Sequence, residues 1–100
     1  MADRITRDDL AHALASHAAC LSRCGLLDPD AGRLALDEGS RTYGRAYRLA
    51  WVPTGETGHH RPPVGGDYLG MTAREAYDEL TGRTSLIYDV VTALARKGDA

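Results

Sequence analysis

Four histidines, two cysteines and a run of arginines are the residues of this chain whose types and spacing could do chemistry. His17, Cys20 and Cys24 stand at i, i+3 and i+7, so a helix would set them on adjoining turns of one face. With His59 or His60 brought to them, they would offer the nitrogen and sulfur donors that suit zinc. Structural zinc sites usually take their cysteines from knuckles and loops, however, and small thiols beside a core-edge histidine pack like hydrophobes. The reading adopted is no metal centre and no cofactor. Cysteines four apart on a helix are neighbours badly aimed for a disulfide, so both are expected as reduced thiols.

His59-His60-Arg61, set between glycines and prolines, is the most chemically loaded local run. Arginine gives bidentate contacts to phosphate or carboxylate, and an imidazole can serve as a general base. No Ser, Cys or carboxylate is tied to this run by a catalytic motif. Gly55-Glu56-Thr57-Gly58 lacks the Gly-Lys-Ser/Thr ending of a phosphate-binding loop. A binding protein is expected, and no enzyme. Arg41, Arg45 and Arg48 interleave with Tyr43, Tyr47 and Trp51, which outlines a platform for single-stranded nucleic acid. Strand parity works against that use. Tyr43, Arg45, Tyr47, Leu49 and Trp51 point one way, and Arg48, Ala46, Ala50 and Val52 the other. Stacking rings and most of the charge therefore do not coincide, and nucleic acid ranks below protein as a partner.

These residues need elements to position them. A helix is expected from Ile5 to Cys24, with Thr6 as N-cap and Asp8 and Asp9 favoured in the first turn. Leu10, Leu14, His17, Leu21 and Cys24 form its inner face, flanked by Ala13 and Cys20. Gly25 is placed to end it, with Leu26 folding back on Leu21. After a turn at Asp28 to Gly32, Arg33 to Asp37 alternates as a strand. Glu38-Gly39-Ser40 is read as a short connection to the longest strand, Arg41 to Val52, making an antiparallel hairpin. Pro53 to Gly70 is irregular, with 53–66 a mobile loop and Tyr68-Leu69-Gly70-Met71 pinned to the core. Two strands make a thin sheet, so a third is expected from this loop or from a second copy.

The last helix begins with the capping box Thr72-Ala73-Arg74-Glu75. Its apolar period runs through Gly82 without losing phase, which predicts one helix to about Lys97; a break near Thr81 to Ser85 is the alternative. Leu86 and Val90 sit on its polar side and look under-buried. The fold class is α+β, one domain over 1–100: an N-terminal helix, an antiparallel hairpin, a long loop and a long C-terminal helix packed on one sheet face. Tyr47, Leu49 and Trp51 should lie beneath the helices.

One hundred residues with 12 basic and 14 acidic side chains give a net charge of −2. That balance imposes no global field demanding nucleic acid or membrane. The distribution is uneven: residues 1–40 carry −3, residues 41–61 carry +3 and residues 62–100 carry −2. A basic middle suits an anion or an acidic surface. No apolar run approaches the roughly 20 residues that cross a bilayer. Met1-Ala2-Asp3-Arg4 lacks the apolar stretch of a secretory signal, so no membrane role is expected. Arginine, alanine and glycine abound while Asn, Gln and Phe are absent, as in a high-GC genome.

Gly39-Ser40-Arg41-Thr42-Tyr43-Gly44-Arg45-Ala46-Tyr47-Arg48-Leu49 and Gly66-Asp67-Tyr68-Leu69-Gly70-Met71-Thr72-Ala73-Arg74-Glu75-Ala76-Tyr77 resemble stretches of the small accessory proteins of actinobacterial bacteriophages. The two cover about a quarter of the chain. The resemblance implies a small factor of the host bacterial cytoplasm that acts by binding host or phage machinery. It carries no functional residue across. The expected mechanism is docking onto a protein through the exposed sheet face and the 53–66 loop. Arg48, His59, His60 and Arg61 would supply charge, and Trp51 or Tyr43 an aromatic anchor. A homodimer is the other association the surface admits.

Overall fold

The computed structural model describes residues 4–38 and 46–98. Helix α1 spans Arg7–Arg23 and is fixed at both ends by local chemistry. The Asp9 amide donates to Thr6 Oγ1 (3.1 Å) and the Thr6 amide to Asp9 Oδ2 (2.9 Å), a reciprocal cap. Accepting from Thr6 holds the Asp9 carboxyl below the ordinary carboxylate range. At the other end Gly25 takes φ +74°, and the Leu26 and Gly25 amides donate to Leu21 O and Ser22 O. That is the expected Schellman ending. Its apolar contact differs from expectation: Leu26 is half exposed, and Leu27 enters the core instead. The buried face is also turned toward the flank, since Ala13 and Cys20 are buried while Leu14 and Cys24 are only partly so.

Strands β1 (Gly32–Asp37), β2 (Tyr47–Pro53) and β3 (Tyr68–Gly70) form an antiparallel sheet in the order β1-β2-β3. The third strand comes from the end of the long irregular stretch. Within the described residues β1 ends with Asp37 opposite Arg48 of β2, and the expected connection at 38–40 lies largely outside them. Residues 41–45 of the expected long strand lie outside the described residues. Leu34 faces Trp51 and Leu36 faces Leu49 across the β1–β2 pair. These four side chains, with Leu69 of β3, pack into the helix-side core.

Helix α2 runs unbroken over Ala73–Gly98, through Gly82. Thr72 Oγ1 accepts from the Glu75 amide, and Glu75 Oε1 from the Thr72 amide, both at 3.1 Å. Gly70 precedes it with φ +151°, and a Cβ there would stand 2.5 Å from Glu75 Cβ. Only glycine lets β3 turn this closely into α2. Leu10, Ala13 and Leu21 of α1 meet Ala76 and Leu80 of α2 above Leu34, Leu49 and Leu69. The helices run in the same direction: His17 bonds Thr84 (3.2 Å), and further along Arg23 donates to Tyr88 (3.4 Å). Both therefore cover one sheet face, as an α+β layer pair requires.

Candidate functional site

The outer sheet face gathers most of the charge singled out in the sequence. Alternation along β2 turns Arg48, Ala50 and Val52 away from the helices. Ala50 and Val52 are nonetheless buried there. The segment after β2 folds back beside it. The Trp51 amide donates to His60 O (2.9 Å), the His60 amide to Trp51 O (2.8 Å), and the Leu49 amide to Asp67 O (2.6 Å). Arg83 of α2 fastens the far end of this segment. Its Nη1 donates to Gly66 O (2.6 Å), its Nη2 to Tyr68 O (3.0 Å), and its Nε to Glu79 Oε2 (2.6 Å). The 53–66 segment is thus tied to β2 at His60 and held to α2 at its end, Gly66.

This course makes a groove of about 350 Å³ lined by Asp37, Arg48, Ala50, His59, Arg61 and Asp67, with His60 at its wall. The charges interlock. Arg48 pairs with Asp67 (3.5 Å), His59 Nδ1 lies 3.4 Å from Asp37 Oδ2, and His60 Nε2 lies 3.2 Å from Glu56 Oε1. The Arg48 guanidinium also sits over the Tyr68 ring, 6.0 Å from its centroid. Arg61 is exposed and has no hydrogen bond or ion pair among the described residues. Solvent-exposed pairs of this kind are worth ~0–1 kcal/mol each.

Four of the six residues expected at a binding surface, Arg48, His59, His60 and Arg61, therefore come together. Trp51 does not join them. Its ring packs against the helix-side core and over Gly32, on the face opposite Arg48. Tyr43 lies outside the described residues, as do Arg41 and Arg45. Sequence reasoning missed Asp37, Asp67 and Tyr68. Tyr68 is half exposed, sits opposite Arg48 in the β2–β3 register and lies under its guanidinium, beside the groove. Only the pairing of β3 could have revealed it.

His17, Cys20 and Cys24 lie elsewhere, with His17 and Cys20 against α2. His17 Nδ1 meets Thr84 Oγ1, and the Cys20 thiol points at Thr84 O at 4.0 Å. Burial lowers the His17 pKa, with Arg83 adding to the effect, and burial raises that of the Cys20 thiol. Both cysteines are free thiols. His59 and His60 bond to Asp37 and Glu56 and do not approach this cluster. Among the described residues no three His, Cys, Asp or Glu side chains converge to hold a metal ion. A second concavity of about 340 Å³ runs between the helices, lined by His12, Ser16, Tyr77, Thr81, Ser85 and Tyr88 among others. No helix among the described residues is long and apolar enough to cross a membrane.

No protein-family model matches the chain, and neither a curated protein nor a solved structure matches it.

Proposed function

We propose that this protein is a non-enzymatic binding factor that docks onto another protein through the groove that the 59–67 segment makes on the outer side of its sheet. The observation that carries this reading is the convergence of Arg48, His59, His60 and Arg61 on one groove, with Arg61 left unpartnered among the described residues. Arginine beside an aromatic is a frequent interface anchor, and Tyr68 under Arg48 provides that pairing. Asp37, Glu56 and Asp67 balance the cations of the groove. Such a mixed surface suits the alternating charges of a protein better than a phosphate backbone. The resemblance to phage accessory proteins makes the partner a host or phage protein met in the bacterial cytoplasm.

The test is capture by tagged protein from an actinobacterial lysate, compared between wild type and Arg61→Ala with His60→Ala. Both side chains are exposed, so the melting temperature should stay put. Retention of the specific partner should fall roughly tenfold, the equivalent of about 1.4 kcal/mol. Equal retention by the variant removes the groove from the mechanism. Retained nucleic acid that washes off steeply with salt would replace the protein partner with DNA or RNA.

A further inference from the structure

Large apolar side chains line α2 outside its cover. On this helix Ala76 and Leu80 are completely buried. Past the Arg23–Tyr88 contact α1 has ended, and ten further residues, 89–98, carry α2 on by about 15 Å. Leu86, Val90 and Leu94 fall at i, i+4 and i+8, one row on the helix surface, and are 64%, 50% and 63% exposed. Val91 flanks the row and is also exposed. A single exposed leucine needs no explanation, but a contiguous row of large apolar side chains does. Val90-Val91-Thr92 is moreover a β-branched run of low helix propensity.

The charge pattern of the tail states what covers it. Asp89 precedes the apolar centre, and Arg96 and Lys97 follow it. Asp89 and Arg96 are seven residues apart and so lie on the same flank. A second tail running antiparallel, with the two-fold axis between Thr92 and Ala93, sets Asp89 against Arg96 of the partner subunit, twice by symmetry. Val91 then faces Leu94 of the partner subunit. A parallel arrangement would stack Asp89 on its own copy and the basic residues on theirs, which is repulsive. The opposed helix dipoles add to the preference.

We infer that residues 86–97 of α2 form a self-association surface whose occupant is the same segment of a second copy, antiparallel to the first. The tail offers less area than the ~800 Å² per partner of a standard interface, so association is weak and concentration-dependent. This surface lies apart from the sheet-face groove, and Arg61→Ala with His60→Ala should leave self-association unchanged.

Sedimentation equilibrium from low micromolar to high micromolar concentration reads it directly. The wild-type mass should rise from one chain to two. Val90→Glu with Leu94→Glu should stay monomeric throughout, with the melting temperature of dilute protein unaltered because both side chains are already exposed. Asp89→Arg should weaken pairing roughly tenfold, and adding Arg96→Asp to the same chain should restore it. A single-chain mass at the highest concentration overturns the inference, as does a dimer indifferent to the two glutamates. A charge reversal without effect on the dimer overturns the antiparallel pairing.

Discussion

His17 is the one buried polar side chain among the described residues, 2% exposed, and it faces Thr84 across the helix interface. Desolvation disfavours its charged form, and Arg83 disfavours it further, so its pKa in the folded protein lies below the ordinary 6.5. The unfolded chain then binds the proton more readily than the folded one. This contribution to stability is complete above about pH 6.5 and is lost as pH falls below that value toward the folded pKa. Urea unfolding across this window should show wild-type stability declining on the acid side. His17→Gln keeps a polar group near Thr84 but cannot titrate, and its profile should be flatter there. Parallel profiles for the two proteins would remove His17 as the source. The same burial that keeps the ring neutral also withholds the Cys20 thiol from ionisation, which makes this corner of the molecule a packing site with polar edges.

At the level of elements, Gly82 marks where local preference and tertiary packing meet. It sits exposed within α2, and a Cβ there would meet nothing within 4 Å. Gly82→Ala should therefore stabilise the protein by about 0.5–1 kcal/mol, seen as a raised urea midpoint with unchanged slope. A loss of stability would mean that the helix needs to bend there. The helices were legible in the sequence because their signals are local: Thr6 with Asp9, Thr72 with Glu75, and Gly25 each act within a few residues. A third strand was expected from the loop or a second copy, but its place at Tyr68–Gly70 was not legible, since three residues cannot display an alternation and its strand character comes from pairing with Tyr47 and Arg48. β2 was read with the right parity over Tyr47 to Val52, while residues 41–45 of the expected strand lie outside the described residues. The groove was half legible. His59, His60 and Arg61 announce themselves as a run, whereas Asp37 and Asp67 reach them only through strand pairing and loop return. Trp51 shows the converse, since an aromatic in an arginine-rich strand belongs to whichever face the pleat assigns it.

On the scale of the whole molecule, the radius of gyration is 14.7 Å, with extents of 51 × 40 × 22 Å. A compact chain of this length would have about 13 Å. The overhanging end of α2 is a source of the excess, and the core of the domain is finished before it. The closures that define the core are long ones. His17 and Thr84 are separated by 67 residues, and Arg23 and Tyr88 by 65, because two helices aligned in the same direction must have the entire sheet threaded between them. Bringing such distant segments together carries a chain-entropy cost that the β1–β2 ribbon, nearer in sequence, partly escapes. The helix–helix seam should accordingly be absent from the rate-limiting barrier to folding. In stopped-flow experiments, Thr84→Ala should accelerate unfolding and leave refolding nearly untouched, whereas Leu49→Ala in the ribbon should slow refolding. Slower refolding from Thr84→Ala would place the seam in the nucleus. If the seam closes last it also opens first, and the order of assembly then follows from the parallel alignment of the two helices.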